Sequence, residues 1–293
     1  MEKLDQTPLE TILMSTLSTF TSHQLSDLTL YFSSLHHRHH RRVFSLLSSP
    51  MLFSLTLHHL HTLSLHNKSL LIAKHLLSKL AIFTHFMHND TILPPPSTTS
   101  MKHRDLDAVL LLLLLCELRQ HDPQALDLPP SRWRVVICQY IAKDALKFSS
   151  ISCSNREIIM KFIDLLAKCK NFVNAMVHAG DGIGGKDRKE VATSLAIVIA
   201  LPSVEASNDN ADGRKECVIC KEEMKEGRDV CKLPCHHTFH WICILPWLKK
   251  RNTCPCCRYQ LPSDDVYAEI QRLWEVVAKM SDSANFVGIS NCN

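Results

Sequence analysis

The sequence predicts a mostly α-helical chain, in which a large N-terminal helical domain precedes a small domain rich in cysteine and histidine. Helix-start signals recur before position 202, and strand signals are missing from the same stretch. Eight of the thirteen cysteines crowd into residues 217–257. At 293 residues the chain also exceeds the usual size of a single domain, so two folded units are expected.

Caps and prolines mark the predicted helix starts. A proline at the first helical position costs no hydrogen bond, because the N–H that it lacks would have no partner within the helix. The signals are Thr7-Pro8-Leu9-Glu10, Ser49-Pro50, Asp122-Pro123 and the capping box of Ser154 with Glu157. The helix that begins near Ser154 should end at Gly180. These signals predict a helical domain over residues 1–202 and a small, polar, acidic linker over residues 203–214.

Two apolar runs, residues 108–116 and 191–201, are too short to cross a bilayer, which takes about 20 residues. The first is expected to be a buried core helix. We therefore expect no transmembrane segment. Residues 11–104 contain only Asp27 and Asp90 as acids, a bias that also occurs in organelle transit peptides. The basic run from His36 to Arg42 is interpreted as a solvated turn rather than a metal site.

The clustered cysteines indicate bound metal rather than disulfides. No secretory signal is expected at the acidic N-terminus, and a reducing compartment favours thiolate ligands. The net charge of +4 forms no dense basic face, so nucleic acid is not expected as a partner. Four short pairs of metal-binding residues follow one another along the chain: Cys217 and Cys220, Cys235 and His237, His240 and Cys243, and Cys254 and Cys257. Eight ligands of this kind suit two tetrahedral zinc sites.

This spacing resembles the RING finger family, in the variant with histidine at both the fourth and fifth ligand positions. The resemblance covers residues 215–262 and implies a cross-braced fold, in which the ligand pairs alternate between two zinc ions. One site would then hold Cys217, Cys220, His240 and Cys243, and the other Cys235, His237, Cys254 and Cys257. Three residues fall off the pattern: Cys231 is interpreted as a packing residue, His236 as a solvent-facing loop residue, and Cys256 as a weaker competitor of Cys257.

The RING resemblance also implies a ubiquitin ligase, with a ubiquitin-conjugating enzyme, ubiquitin and an unknown protein substrate as partners. Ligase members present an apolar groove to the conjugating enzyme, and Ile219, Trp247 and Pro255 occupy the matching positions. Arg258 matches the arginine that holds conjugating enzyme and ubiquitin together, which would promote direct transfer by orientation. The alternative is a zinc-dependent interaction scaffold that transfers no ubiquitin.

A final helix is expected in residues 263–293, opened by Ser263-Asp264-Asp265 and carrying an apolar stripe that includes Ile270, Leu273 and Trp274. The stripe is expected to pack on the zinc domain or to pair two copies, so a homodimer stays open.

Over more of its length the chain resembles a plant family of amyloplast-associated RING ligases of shoot gravitropism. The resemblance is carried by residues 19–30, by Leu46 to Pro50 with Phe53 to Leu57, and by Ala200 to Glu205. It implies association with plastids. Because ubiquitin chemistry operates in the cytosol, the expected place is the cytoplasmic side of the plastid, and the alternative is the cytosol.

Overall fold

The computed structural model describes residues 8–87, 101–148, 155–179, 190–205, 216–224 and 229–290. The chain divides into two compact units. We call them the helical unit, Met1–Ile183 with Glu275–Asn293, and the cysteine-rich unit, Gly184–Trp274. The expected fold class is confirmed: the chain is mostly helical, and the two-site cysteine-rich module lies towards its C-terminus.

The helical unit contains helices α1 to α7, a short 3-10 helix and the later part of α10. Their bounds are α1 Pro8–Leu17, α2 Ser22–Ser48, α3 Pro50–Thr62, α4 Leu65–Met87, α5 His103–His121, the 3-10 helix Pro123–Leu126, α6 Pro130–Phe148, α7 Asn155–Ala179 and α10 Val266–Ser290. The predicted start at Pro8 and the end just before Gly180 agree with these bounds. Thr7 and Ser154 lie outside the described residues.

Local capping chemistry sets several of these helix ends. Ser49 accepts a hydrogen bond from the backbone N–H of Leu52, with Pro50 at the first helical position, as predicted. Helices α2 and α3 meet there at 103°. A capping box that the sequence analysis missed opens α2, where Thr21 and Gln24 bond reciprocally to each other's backbone N–H.

The basic run from His36 to Arg42 differs from its prediction. It lies inside α2 rather than in a turn, although His37, Arg38, His40 and Arg41 are exposed as expected. The helix continues because the run contains no glycine or proline and is followed by the buried Leu46 and Leu47.

The core of the helical unit forms around α4, α5 and α7. The apolar run of α5 is a buried core helix, as predicted, with Leu111 fully buried. Phe162 of α7 stacks on Phe32 of α2 at 3.5 Å between ring centroids. Asp107, which is 8% exposed, pairs with Arg42 at 2.8 Å, so its buried carboxylate is not left unpaired.

Helix α4 has the length and mean hydropathy of a membrane span, and 56% of its most apolar window is buried in the chain. The bent pair of α2 and α3 passes the same test together. Helix α4 is not one of the two shorter apolar runs, residues 108–116 and 191–201, that stand out in the sequence. A core helix of a water-soluble domain meets these criteria as well, so the expectation of no transmembrane segment stays a prediction.

The cysteine-rich unit is built on a three-stranded antiparallel sheet. Its elements are α8 Leu195–Ala200, β1 Ser203–Glu205, β2 Asp229–Lys232, β3 Thr238–His240, α9 Trp241–Leu248 and the start of α10. The strand order is β1-β2-β3, with Ser203 opposite Cys231 and Cys231 opposite Phe239. Residues 203–205, assigned to a linker from the sequence, thus pair with β2, and residues 206–214 lie outside the described residues.

Residues 190–202 pack into the same unit. The backbone N–H of Thr193 bonds to the carbonyl of Leu248, and that of Ser194 to the carbonyl of Pro262, both at 2.9 Å. Ile197 and Leu201 share a buried cluster that includes Phe239. Part of the apolar character of 191–201 therefore reflects packing against the sheet, although Leu195 and Ile199 are exposed.

Helix α10 begins at Val266, directly after the predicted cap. Asp265 accepts a hydrogen bond from the N–H of Ala268 at 2.8 Å. The predicted apolar stripe is buried within the chain, with Ile270 1% and Val277 0% exposed. In the helical unit, Thr16 of α1 donates to the carbonyl of Val277 at 3.1 Å. The expectation of a homodimer stays a prediction.

Candidate metal centres and the adjoining surface

The structure gathers the eight predicted ligand residues into two separate clusters. In each cluster the candidate ligand atoms all lie within 4.8 Å of one another. One cluster contains Cys217, Cys220, His240 and Cys243, and the other contains Cys235, His237, Cys254 and Cys257. The pairs alternate along the chain between the two clusters, which is the cross-braced arrangement expected from the sequence.

Two turns of the same geometry present the outer cysteine pairs. After Cys220, Lys221 adopts φ 61° and donates its N–H to the carbonyl of Cys217 at 2.7 Å. After Cys257, Arg258 also adopts φ 61° and donates to the carbonyl of Cys254 at 3.0 Å. Each turn thereby directs two sulfur atoms towards one centre.

The histidine geometry fits a tetrahedral zinc ion. Nδ1 of His240 lies 3.4 Å from Sγ of Cys220. Zinc–nitrogen and zinc–sulfur bonds of ordinary length at a tetrahedral angle separate such atoms by about 3.6 Å. Nδ1 of His237 is buried and has no hydrogen-bond partner, which is the kind of atom that a metal satisfies.

The thiols also require a cation. Burial, together with the neighbouring thiols Cys220 and Cys217, raises the pKa of Cys243 to about 12. Burial and the proximity of Cys254 and Cys257 have the same effect on the pKa of Cys235. Several thiolates cannot ionise so close together unless a positive charge compensates them. Three sulfurs and one imidazole at each centre therefore suit two zinc ions, as the sequence predicted.

The off-pattern residues lie where the sequence analysis expected them. Cys231 is fully buried in β2, consistent with a packing role. His236 is exposed in a turn with φ 66°. Cys256 is exposed and belongs to neither cluster.

The three residues expected to form an apolar groove are each partly exposed. Ile219 lies between the first two cysteines and is 37% exposed. Trp247 lies in α9, where its Nε1–H donates to the carbonyl of Thr253 at 2.7 Å. Pro255 lies between the last two ligand cysteines and is half-buried. Apolar side chains that are neither fully buried nor fully exposed are available to a partner.

Arg258 presents an unused guanidinium. Its side chain is exposed and has no hydrogen-bond or ion-pair partner among the residues that the structure describes. Because its backbone is held in the left-handed region by the turn, the arginine has a defined starting point directly after the last ligand.

A second arginine, which the sequence did not indicate, lies beside Trp247. The guanidinium of Arg251 lies over the Trp247 ring, 5.0 Å from its centroid. Its Nε also donates to Glu190 at 2.8 Å. The pair with Glu190 joins residues far apart in the chain and leaves no spacing signal. Arg251 also lies beyond the end of α9, so helical spacing does not predict its contact with Trp247.

An interleaved two-site module with histidine at the fourth and fifth of eight ligands defines a RING finger of the H2 type. In agreement, the family model described as "Ring finger domain" matches residues 215–258. The chain is 47% identical over 279 residues to E3 ubiquitin-protein ligase SGR9, amyloplastic, of Arabidopsis thaliana, covering 93% of this chain and 96% of that protein. The chain therefore belongs to the family of RING-type E3 ubiquitin-protein ligases that includes SGR9.

Shorter similarities concern the cysteine-rich unit. E3 ubiquitin-protein ligase RNF181 of Xenopus laevis is 48% identical over 71 residues, which are 24% of this chain and 46% of that protein. The RNF181 homolog of Drosophila melanogaster is 44% identical over 93 residues, which are 31% of this chain and 63% of that protein. The protein is thus a ubiquitin transferase of the RING class, which acts with a ubiquitin-conjugating enzyme, ubiquitin and a protein substrate.

Proposed function

We propose that Ile219, Trp247 and Pro255 form the surface that binds the ubiquitin-conjugating enzyme, and that Arg258 orients its ubiquitin thioester. The observation that carries the proposal is the partial exposure of these three apolar side chains next to the two ligand clusters, with Ile219 and Pro255 inside the cysteine turns. Interfaces are commonly anchored by a tryptophan and other large apolar groups of this kind.

The metal ligands hold this surface in shape. Cys217, Cys220, His240 and Cys243 would bind one zinc ion, and Cys235, His237, Cys254 and Cys257 the other. Bound zinc supplies structural cross-links between distant segments and no redox chemistry. Ile219 and Pro255 sit inside the two cysteine turns, so ligand geometry positions the groove directly.

Arg258 would act by orientation. Its guanidinium offers five donors in a rigid fork, enough to bond the conjugating enzyme and ubiquitin at once. With ubiquitin held in one pose, a substrate lysine amine attacks the thioester carbonyl. The C–S bond breaks and an isopeptide bond forms. The cysteine thiolate of the conjugating enzyme is the leaving group, and it takes up the proton that the amine loses. Transfer is therefore direct, and the rate gain comes from reduced motion of ubiquitin.

A reconstituted assay tests the role of the groove. Purified full-length protein with activating enzyme, conjugating enzyme, ubiquitin and ATP should form ubiquitin chains, at least on itself. Trp247→Ala should abolish the chains, and Lys249→Ala, an exposed change beyond the end of α9, should retain them. If Trp247→Ala stays active, the groove assignment fails. Chain formation also excludes the alternative of an interaction scaffold that transfers no ubiquitin.

We further propose that the helical unit addresses the ligase to the cytoplasmic side of plastids, the alternative being the cytosol. The support is the name of the Arabidopsis relative, which describes that protein as amyloplastic. A RING on the cytosolic side would keep access to ubiquitin. In isolated plastids carrying the full-length tagged protein, external protease should digest the tag. Protection of the tag inside intact plastids would indicate import instead.

The domain limits predicted from the sequence were a helical domain over residues 1–202, a linker over 203–214, the RING over 215–262 and a C-terminal helix and tail over 263–293. We propose to keep the last two limits and to assign residues 190–205 to the cysteine-rich unit, because they pack and pair with its sheet. We also propose that the chain has no membrane span, which alkaline extraction of a membrane fraction tests. A homodimer is retained as an alternative to a monomer, and light scattering of the purified chain distinguishes the two.

A further inference from the structure

Basic side chains of helices α2 and α4 lie close together in the interior of the helical unit. His39 lies on α2, and His75 and Lys79 lie four residues apart on the same face of α4. His75 is 2% exposed and Lys79 is 6% exposed. The rings of His39 and His75 have centroids 5.6 Å apart. The exposed Arg38 of α2 is the positive charge that acts on Lys79.

These groups have no acidic partner among the residues that the structure describes. Lys79 is influenced by Arg38 and by the thiol of Cys169, and His75 by Lys79 and His39. The further charges that act on His39 are also basic: Arg38, His36 and Arg42. Of these, Arg42 is already paired with Asp107. Nε2 of His75 is a buried polar atom without a hydrogen-bond partner.

Without a bound ligand, these buried polar groups destabilise the folded state. A buried ammonium is seldom left unpaired in proteins, and an unsatisfied buried ring nitrogen adds its own desolvation cost. Burial and the nearby Arg38 lower the pKa of Lys79 to about 8, so the amine still carries charge at neutral pH. A bound anion would offset both costs at once.

We propose that Lys79, His75 and Arg38 bind a small phosphoryl anion, with His39 lining the site. A phosphoryl group offers three or four acceptor oxygens that point in different directions, so donors from two helices can reach it from different sides. Arg38 is exposed, whereas Lys79 and His75 are buried, so in this proposal the anion enters past Arg38. The site is independent of ubiquitin transfer and adds a ligand to the helical unit.

The test is thermal unfolding of the full-length, zinc-loaded protein, without free zinc, at constant ionic strength. Inorganic phosphate should raise the midpoint saturably, by about 5 °C at a hundred times its dissociation constant. Potassium chloride should not. A parallel titration with glycerol 3-phosphate distinguishes a site for free phosphate from one that also admits a phosphomonoester. Response to phosphate alone, or to both compounds, supports the proposal, and response to neither overturns it.

Substitutions of one buried and one exposed lysine of α4 show whether phosphate raises the unfolding midpoint by binding at the proposed site. Lys79→Met should abolish the rise and, without phosphate, unfold at a higher temperature than the wild type, because it removes an unpaired buried charge. Lys74→Met, on the exposed face of the same helix, should respond as the wild type does. A rise of equal size in Lys79→Met overturns the proposal.

A second measurement covers the case in which Lys79→Met does not fold. Wild-type protein should broaden the phosphorus resonance of inorganic phosphate saturably, and Arg38→Gln, an exposed change, should weaken that binding at least tenfold. Equal broadening by the two proteins overturns the proposal. Ubiquitin-chain formation should be the same in all these variants, so failure here is distinguishable from failure of the RING assignment.

Discussion

At the scale of single residues, two adjacent positions between the first two candidate ligands are expected to differ in function. Within the first cysteine turn, Val218 is 55% exposed and Ile219 is 37% exposed. Both are β-branched and apolar, so composition alone does not separate them. Their position in the turn does, because only Ile219 lies at the position that we propose for the groove.

Replacement of Ile219 by alanine should stop ubiquitin-chain formation while two zinc ions remain bound. The reason is that the change removes apolar contact with the conjugating enzyme and leaves every ligand in place. Chain formation by gel and zinc by elemental analysis measure the two effects. Val218→Ala is the matched control and should keep most of the activity. Loss of zinc in Ile219→Ala would mean that the residue is structural.

A glycine substitution at Arg258 separates the effect of the backbone conformation from the effect of the side chain. Its φ of 61° costs a non-glycine residue about 1 kcal/mol, which glycine does not incur. Arg258→Gly should therefore fold at least as stably as the wild type, yet slow the discharge of the ubiquitin thioester onto free lysine by tenfold or more. Lys221→Gly changes the equivalent position of the other turn and should leave discharge unchanged. Discharge at the wild-type rate in Arg258→Gly would contradict the orienting role.

The ligand set predicts a zinc count that off-pattern cysteines do not change. Cys231→Ser and Cys256→Ser should each retain two zinc ions, although buried Cys231 will tolerate the polar hydroxyl less well. His240→Ala should lose zinc and unfold the cysteine-rich unit, because metal supplies much of the folding energy of so small a module. Native mass spectrometry gives the count. Two zinc ions in folded His240→Ala would disprove the assignment.

At the scale of elements, the segment before the RING carries part of its stability. Helix α8 inserts Ile197, 8% exposed, into the cluster formed by the sheet, whereas Ile199 on the same helix is 76% exposed. Strand β1 adds an edge to β2 through the pairing of Val204 with Val230. Residues 190–205 thus contribute packing that the ligand spacing does not describe.

Alanine substitution of these two isoleucines should change the free energy of unfolding by different amounts. Ile197→Ala should lower the free energy of unfolding of the cysteine-rich unit by about 2–4 kcal/mol, because it leaves a cavity in the core. Ile199→Ala should change it by less than about 0.5 kcal/mol, since the side chain is in solvent. Denaturant unfolding followed by tryptophan fluorescence measures both. Equal effects would show that α8 does not pack as described.

At the scale of the whole molecule, the two units depend on different forces. The helical unit has an extended apolar core, which includes Leu111 and Phe83, whereas the cysteine-rich unit is organised around two ligand clusters. Zinc binding should therefore control the second unit and leave most of the first intact.

Removal of zinc by a chelator should abolish chain formation but retain most of the far-ultraviolet circular dichroism signal, because most helices belong to the helical unit. Subsequent heating should show a cooperative transition of the helical unit. Added zinc, under reducing conditions, should restore activity. Complete loss of helical signal on chelation would mean that the helical unit cannot fold without the RING.

The sequence by itself determined the features that depend on neighbouring residues. Cap and proline at Ser49-Pro50 begin a helix because their hydrogen bonds are local, and the cysteine spacing selects zinc because each pair closes within one turn. Only the tertiary structure decided that residues 203–205 join the sheet, that Arg251 covers Trp247, and that His75 and Lys79 meet α2. The pairing of residues 203–205 and the meeting of α4 with α2 join segments far apart in the chain, so they follow from packing of whole elements and leave no periodic signal in the sequence. Arg251 is only four residues after Trp247 but lies beyond the end of α9, so helical spacing does not predict their contact.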